Sequence, residues 1–341
     1  MSTFSAYLSR DAARRTLALV AAGIALAAAA DGPANAPAAP SSTKIRTWTI
    51  HYRAHNGADR IAYVLLPSWY GPANNPPLPL VISPHGRGAT GRSNATFFGN
   101  LPAVGGFAVI SPDGMGRRLR YFSYGYRGQI DDLARMPELA TRALPWLRVD
   151  RTRIYALGSS MGGQETALLV ARHPGLLAGA AAMDSVTDLA RRYHQLPSIP
   201  CDQRCLARWG GPRGVNLQSV LRREVGATPE QSPRAYAARS ALSQAAAIAR
   251  SGVPLQIWWS TNDRIVFDQQ HQSEALYRAV LKLNDCAPVS AYKGRWQHST
   301  EMRASALLPI ALAGFGLMPS GVKSLPSSVR HHAAPVCELG S

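Results

Sequence analysis

The fold of this chain is decided by the stretch Ile154-Tyr155-Ala156-Leu157-Gly158-Ser159-Ser160-Met161-Gly162-Gly163. It joins an apolar run of strand-forming residues to a Gly-x-Ser-x-Gly motif, and residues 164–170 then have the composition of a helix. Between a strand and a helix, this motif presents a serine at the apex of a strained turn, whereas an isolated match would suit a plain turn equally well. The sequence therefore predicts that Ser160 is a nucleophile exposed at the carboxyl edge of a sheet, with the N–H of Met161 pointing into the same space.

Short apolar segments alternate with helical ones along most of the chain. The first two predicted strands, residues 47–55 and 60–66, flank the turn signal Asn56-Gly57 and form a hairpin. The later strands alternate with helices, which is typical of a mostly parallel sheet covered on both faces. The 341 residues, with 46% hydrophobic content, suffice for one large α/β domain or two small ones, and we place a single domain at residues 47–318.

Two segments interrupt this alternation. Residues 184–251 lack strand patterning, so we predict a helical cap inserted between two core strands. Residues 319–341 are small, polar and basic, and we predict a C-terminal tail held at most by Cys337.

The amino-terminal residues have the character of an export signal and a linker. Three arginines precede an apolar run at residues 17–30, and small residues follow, as in a secretory signal peptide. We predict a signal peptide at residues 1–30 and a Pro/Ala/Ser-rich linker at residues 31–46. The apolar run is short for a membrane span, so we expect a secreted protein, extracellular or in the cell envelope, without stable membrane insertion.

The chain is strongly basic, with a formal net charge of +17. Such a charge attracts anionic polymers or lipid headgroups through its long-range field, although arginine spread over a solvated surface is the simpler interpretation. The sequence has no zinc-finger or RNP-type motif, so we expect no nucleic-acid partner.

Export makes the four cysteines candidates for two disulfides, for which three pairings exist. Cys201 and Cys205 are close enough in sequence to bridge across one helical turn, and this pairing leaves Cys286 for Cys337. A Cys-x-x-x-Cys pair without a second pair of ligands is a weak metal signal, so we predict no metal site.

An acyl-transfer serine requires a base, an acid that orients the base, and an oxyanion hole. Of the nine histidines, His298 lies in a loop after the last core strand, from which it can reach over Ser160. Asp263 follows the preceding strand, and the order Ser160, Asp263, His298 is that of hydrolases with this turn. Asp268 competes for the role of acid, but it is predicted to begin the next helix, where the helix dipole favours a carboxylate.

The second oxyanion donor is expected from the turn after the third strand, His85-Gly86-Arg87-Gly88. Its glycines let the backbone bend inward, so we predict that the N–H of Arg87 acts together with that of Met161. The side chain of His85 is expected to hold the loop by a hydrogen bond.

These motifs together resemble those of α/β-hydrolases over about residues 47–317, and most closely the catalytic domains of the prolyl-oligopeptidase family and the secreted esterases that share their core. The residues that carry the resemblance are His85-Gly86-Arg87-Gly88, Gly158-Ser159-Ser160-Met161-Gly162-Gly163, Val186-Thr187-Asp188-Leu189, Asp263 and His298. The resemblance implies a serine nucleophile, an acyl-enzyme and no cofactor. Many peptidases of that family carry a large amino-terminal β-propeller, for which this chain has no room, so peptides are the less favoured substrates.

Three aromatic side chains near the predicted site, Tyr121, Tyr124 and Trp296, are predicted to line a cleft for an acyl or aryl group, with packing inside the loops as an equal alternative. We expect a serine hydrolase that cleaves carboxylic esters of small molecules or polymers. A serine peptidase is the first alternative, and a non-catalytic protein that binds anionic surfaces is the second.

Overall fold

The computed structural model describes residues 43–322 and 324–337. The predicted signal peptide, residues 1–30, lies outside the described residues, and so do residues 31–42 of the predicted linker. The first strand, β1 (Ile45–Arg53), begins slightly before the predicted start of the domain.

One mixed sheet forms the centre of the described part of the chain. Its further strands are β2 (Asp59–Pro67), β3 (Leu78–Ile82), β4 (Ala108–Pro112), β5 (Val149–Ser159), β6 (Gly179–Met183), β7 (Leu255–Ser260), β8 (Val289–Gly294) and β9 (Arg330–His332). Their order in the sheet is β1-β2-β4-β3-β5-β6-β7-β8-β9. The strands from β4 to β8 pair in parallel, whereas β1, β2 and β9 join antiparallel at the two edges. The carboxyl ends of the parallel strands therefore meet at one edge of the sheet.

Helices cover both faces of this sheet. They are α1 (Gly91–Ala95), α2 (Leu101–Gly105), α3 (Arg127–Ala143), α4 (Met161–Arg172), α5 (Leu189–Gln195), α6 (Gln203–Trp209), α7 (Arg213–Val225), α8 (Pro233–Ala237), α9 (Ala245–Ala249), α10 (Ser273–Leu283) and α11 (Leu308–Ala313). Residues of α3, α4, α9 and α10 build one apolar core, and residues of α1, α2 and α11 build the core on the opposite face.

The alternation of side chains along each strand supplies both cores. On β5, Ile154 and Ala156 belong to the first core, while Tyr155 and Leu157 belong to the second. Because both faces are buried, the strand has the continuous apolar sequence that marks a central parallel strand.

The cap consists of α5 to α8 and packs around a third apolar cluster that includes Leu189, Leu217 and Tyr236. Helix α9 instead packs with α4 and α10, and its Ile248 belongs to the first core. Within the predicted insertion of residues 184–251, the last helix, α9, therefore covers the sheet and does not join the cap helices.

One buried carboxylate fastens the cap to the loop after β4. Glu224, in α7, accepts hydrogen bonds from the backbone N–H groups of Arg117, Arg118 and Leu119 and pairs with Arg239 at 3.2 Å. Separating Glu224 from these donors would leave buried N–H groups and a buried carboxylate unpaired, which is costly in free energy. The hydrogen bonds therefore hold the cap firmly against this loop.

The carboxyl-terminal segment is more than a tail. β9 adds a short antiparallel strand to β8, and His331 stacks on Tyr292 with ring centroids 4.4 Å apart. The structure contains the disulfides Cys201–Cys205 and Cys286–Cys337, and the second ties this segment to the end of α10. None of the helices in the described residues is long and apolar enough to cross a membrane.

Candidate active site

Ser160 stands on the tight turn between β5 and α4, with backbone angles φ 61° and ψ −122°. A serine rarely adopts a positive φ, so the turn is strained and depends on close packing around it. A Cβ atom on Gly162 would lie 2.3 Å from the carbonyl oxygen of Pro84, and one on Gly158 would lie 2.6 Å from the backbone of Gly162. The two glycines of the motif are therefore required by the approach of helix, strand and neighbouring loop.

His298 and Asp263 form a hydrogen-bonded pair beyond β8 and β7. The Nδ1 atom of His298 lies 2.7 Å from Oδ2 of Asp263, and the other carboxylate oxygen accepts the N–H groups of Ile265 and Val266, each at 2.8 Å. Burial acts to raise the pKa of Asp263, but the hydrogen bond and charge of His298, together with the two N–H groups, hold that pKa below its ordinary value. Asp263 is thus an ionised carboxylate at neutral pH and fixes the orientation of the imidazole.

Asp268, the competing acid, lies elsewhere. Its carboxylate binds the side chains of Arg191 at 2.6 Å, Gln195 at 2.5 Å and His271 at 2.6 Å. These contacts join the cap to the start of α10. The carboxylate that binds His298 is therefore that of Asp263 and not that of Asp268.

Ser160 and His298 line one open cavity of about 210 Å³ at the carboxyl edge of the sheet, together with Arg87, Arg213 and Phe97. We call this space the outer cavity. Among the described residues, no hydrogen bond joins the Ser160 hydroxyl to the imidazole. Catalytic hydrogen bonds are often formed only when substrate is bound, so this separation is compatible with proton transfer between the two groups.

The loop after β3 is held in place by His85, as expected. Burial lowers the pKa of His85, so the ring is neutral. Its Nε2 accepts the N–H of Gly114 at 2.9 Å, and its Nδ1 therefore donates to the carbonyl of Gly86 at 2.7 Å. Arg87 follows directly and lines the outer cavity beside Ser160.

Met161 is the first residue of α4, so its N–H has no carbonyl one turn earlier within the helix. Both Met161 and Arg87 also line a narrow recess under the cap, next to Ser160. We call this space the inner recess; its other lining residues are Tyr124, Gln164, Val186, Arg192, Leu196, Ile265 and Val266. The two backbone segments predicted to donate to an oxyanion therefore lie on the same side of Ser160.

Of the three aromatic side chains predicted to contact substrate, only Tyr124 lines one of these spaces. Tyr121 donates its hydroxyl to Asp113 at 3.1 Å. Trp296 donates its indole N–H to Asp184 at 2.9 Å, and its backbone N–H and carbonyl both bind the hydroxyl of Ser260. Both side chains hold loops, because their polar atoms are used inside the protein.

Two buried acidic residues beside the site were missed in the sequence. Asp184 follows β6 and accepts N–H groups from Ser260, Trp296 and Ser299. Burial and the neighbouring charge of Asp263 raise the pKa of Asp184 to about 6, and burial together with Asp184 raises the pKa of Glu301 well above its ordinary value. This pair fixes the loop that carries His298, and the raised pKa of Glu301 favours its protonated form beside Asp184.

Asp184, Asp263 and His298 bring ligand atoms within 4.8 Å of one another. Three N–H donors occupy the carboxylate of Asp184, and the imidazole occupies that of Asp263. The carboxylates of this group are therefore satisfied by hydrogen bonds within the protein.

No family model and no curated protein matches the sequence. Solved structures are similar in fold: the carboxylesterase EstE1 from a metagenomic library has a TM-score of 0.56 at 18% identity, over 80% of this chain and 90% of that one. S-formylglutathione hydrolase (FrmB) from Staphylococcus aureus has a TM-score of 0.53 at 15% identity, over 80% and 99%. Puromycin hydrolase has a TM-score of 0.53 at 18% identity, over 81% of this chain.

The coverage of these structures is uneven. The chain spans 39% of the length of puromycin hydrolase and 35% of that of a putative dipeptidyl aminopeptidase IV from Bacteroides ovatus. It spans nearly the whole length of S-formylglutathione hydrolase and of EstE1. On strand order and on these similarities, the chain has the α/β-hydrolase fold.

Proposed function

We propose that this protein is a secreted serine hydrolase that cleaves carboxylic esters through a triad of Ser160, His298 and Asp263. The observation that carries the proposal is the placement of a strained, cavity-facing serine beside an imidazole whose second nitrogen binds an ionised carboxylate. A structural turn would not need the positive φ of Ser160, nor a histidine oriented in this way.

In the proposed reaction, the Ser160 oxygen attacks the ester carbonyl carbon while His298 Nε2 takes the hydroxyl proton. The carbonyl oxygen becomes negative and accepts hydrogen bonds from the N–H groups of Met161 and Arg87. The C–O bond to the alcohol then breaks, and His298 gives its proton to the leaving oxygen. A water molecule, deprotonated by His298, attacks the acyl-enzyme, and the carboxylic acid leaves as Ser160 regains its proton. Asp263 stabilises the imidazolium in both halves.

Esters are favoured over peptides by the charge of the site. A peptidase that recognises a free amino terminus needs a carboxylate near the scissile bond, but none of the described residues that line the outer cavity or the inner recess is acidic. Similar folds belong both to the carboxylesterase EstE1 and to proteins called peptidases, so the fold alone does not decide.

Export is proposed from the signal-like sequence at residues 1–30 together with the two disulfides, which form in oxidising compartments. Amino-terminal sequencing of protein recovered from outside the cytoplasm tests this part. A chain that begins at Met1 there would contradict cleavage of a signal peptide.

The test of the reaction is a panel of nitrophenyl esters beside matched peptide nitroanilides. We expect kcat/KM for short acyl esters to exceed that for the nitroanilides by several decades. Because activated esters react with many nucleophiles, Ser160→Ala must abolish the ester activity. Selective nitroanilide cleavage that is lost in Ser160→Ala would instead support a peptidase.

A further inference from the structure

Arg192, in the cap helix α5, is an arginine buried beside the candidate site. The residue is 2% exposed, and neither Nη1 nor Nη2 has a hydrogen-bond acceptor among the described residues. Burial, reinforced by the charge of Arg87, lowers the pKa of Arg192 to about 9, so it remains charged at neutral pH. A buried charge without a partner is costly in free energy, and a protein tolerates it where the charge has a use.

Arg192 lines the inner recess next to Ser160 and belongs to a wider positive region. Arg87 lines both the inner recess and the outer cavity, and Arg213 lines the outer cavity. The charges of Arg87 and Arg213 both act to lower the pKa of Arg192. The negative charge of Asp263 acts in the opposite direction and raises the pKa of Arg192, but the Asp263 carboxylate is hydrogen-bonded to His298. Three arginines thus line the spaces around the candidate nucleophile, and an anion brought by a ligand would be a natural partner for the unpaired Nη atoms of Arg192.

The chemistry of the proposed reaction assigns the two spaces to the two halves of an ester. His298 protonates the leaving oxygen, so the alcohol must lie on the side of His298, in the outer cavity that this residue lines. The inner recess is lined by Ser160 and Met161 but not by His298. The acyl half therefore extends into the inner recess, toward Arg192.

We propose that the inner recess binds a carboxylate at the end of a short acyl chain, with Arg192 as its main partner, so that the preferred substrates are monoesters of short dicarboxylic acids. This assignment rests on the proposed ester hydrolysis at Ser160. The recess has a free volume of about 10 Å³, at most the room for one water molecule, so it excludes a long alkyl chain and admits a compact acid group only when the side chains that line it move apart. A planar guanidinium also matches a carboxylate through two parallel hydrogen bonds.

Binding to a Ser160→Ala background tests the proposal without turnover. Monoethyl succinate and ethyl succinamate have the same shape and differ in the terminal charge, and isothermal titration calorimetry gives both affinities. We expect the charged monoester to bind at least tenfold more tightly, and we expect the ratio to approach one when Arg192→Met is added. Arg191→Met is the matched control: it removes one positive charge from the same helix, but from a side chain paired with Asp268 outside the recess.

The outcomes separate the anion site from the esterase. Equal affinity for the two ligands in the Ser160→Ala protein would overturn the proposal, and so would a preference that survives Arg192→Met. That variant should be at least as stable as its parent, because it loses a buried unpaired charge; should it fail to fold, Arg192→Gln carries the same comparison. Turnover by the otherwise unaltered protein, followed by pH-stat, tests the esterase separately: selective binding without hydrolysis would support the anion site and refute ester cleavage.

Discussion

Replacement of Asp263 by asparagine tests how the carboxylate controls His298. In the structure, one oxygen of Asp263 is held by the N–H groups of Ile265 and Val266, each at 2.8 Å, while the other faces Nδ1 of His298 at 2.7 Å. The amide oxygen of an asparagine would keep the two N–H partners, so its NH₂ group would face the imidazole. Nδ1 would then have to accept a hydrogen bond, and the proton would move to Nε2, which could no longer take the proton of Ser160.

The size of the effect follows from the cost of the opposite amide orientation. Turning the oxygen toward His298 would leave the Ile265 and Val266 donors unpaired, at about 1–3 kcal/mol each. A tenfold change in rate corresponds to about 1.4 kcal/mol, so the combined cost of the two unpaired donors corresponds to a rate that is roughly 30-fold to 10⁴-fold lower. Loss of the negative charge opposite the imidazolium lowers the rate further. We therefore expect kcat/KM for a nitrophenyl ester to fall at least about 10³-fold, or about 4 kcal/mol.

Steady-state kinetics of Asp263→Asn, with circular dichroism to verify folding, measures this loss. Asp268→Asn is the matched control and should retain activity near that of the parent, because Asp268 binds Arg191, Gln195 and His271. A folded Asp263→Asn protein within tenfold of the parent would refute the argument. A large loss in Asp184→Asn with little in Asp263→Asn would transfer the role of acid to Asp184.

Three further changes probe the supports of the site. Gly162→Ala places a Cβ atom 2.3 Å from the carbonyl oxygen of Pro84, so we expect kcat to fall about 10²-fold or more as the loop shifts, and unchanged kinetics would contradict the tight fit. Burial raises the pKa of Glu165 to about 8, so the folded state holds a proton that the unfolded chain releases, and stability falls as pH rises from about 4.5 to 8. Glu165→Gln should flatten this dependence in urea unfolding at stepped pH, and parallel curves would refute the buried proton. Replacing Cys337 by Ser opens the loop closed with Cys286 and should cost up to about 4 kcal/mol of unfolding free energy by the chain-entropy model, whereas unchanged urea unfolding would mean that this disulfide contributes no stability.

The parts of the fold that could be predicted were those with a strong local pattern. The strand–turn–helix at Ser160 has glycines that the backbone requires, and the parallel strands are continuous apolar runs. Asp263 and His298 were found because each follows a buried strand, and parallel strands bring their carboxyl ends to one edge. The structure places these two side chains in contact, while their part in catalysis remains a prediction.

The parts that could not be predicted depend on tertiary contacts. β9 is a short polar edge strand, Arg330–His332, without an apolar alternation that would mark it in the sequence. Arg192 reads as a solvated arginine, and only the packing of the cap buries it beside the site. Asp184 and Glu301 are far apart in the chain, and the fold makes them neighbours. Trp296 was expected to contact substrate because aromatic residues are common in clefts, but its indole N–H is used by Asp184.

The central claim, that Ser160 is the nucleophile, is tested most directly by intact mass spectrometry after reaction with a fluorophosphonate. We predict that the protein gains the mass of one phosphonyl group, that peptide mapping places it on Ser160, and that Ser160→Ala gains none. Ser159 precedes it and donates to Glu301 at 2.9 Å, so Ser159→Ala is the matched control and should still be labelled. An adduct that persists in Ser160→Ala, or a folded parent protein that gains no mass, would contradict the account.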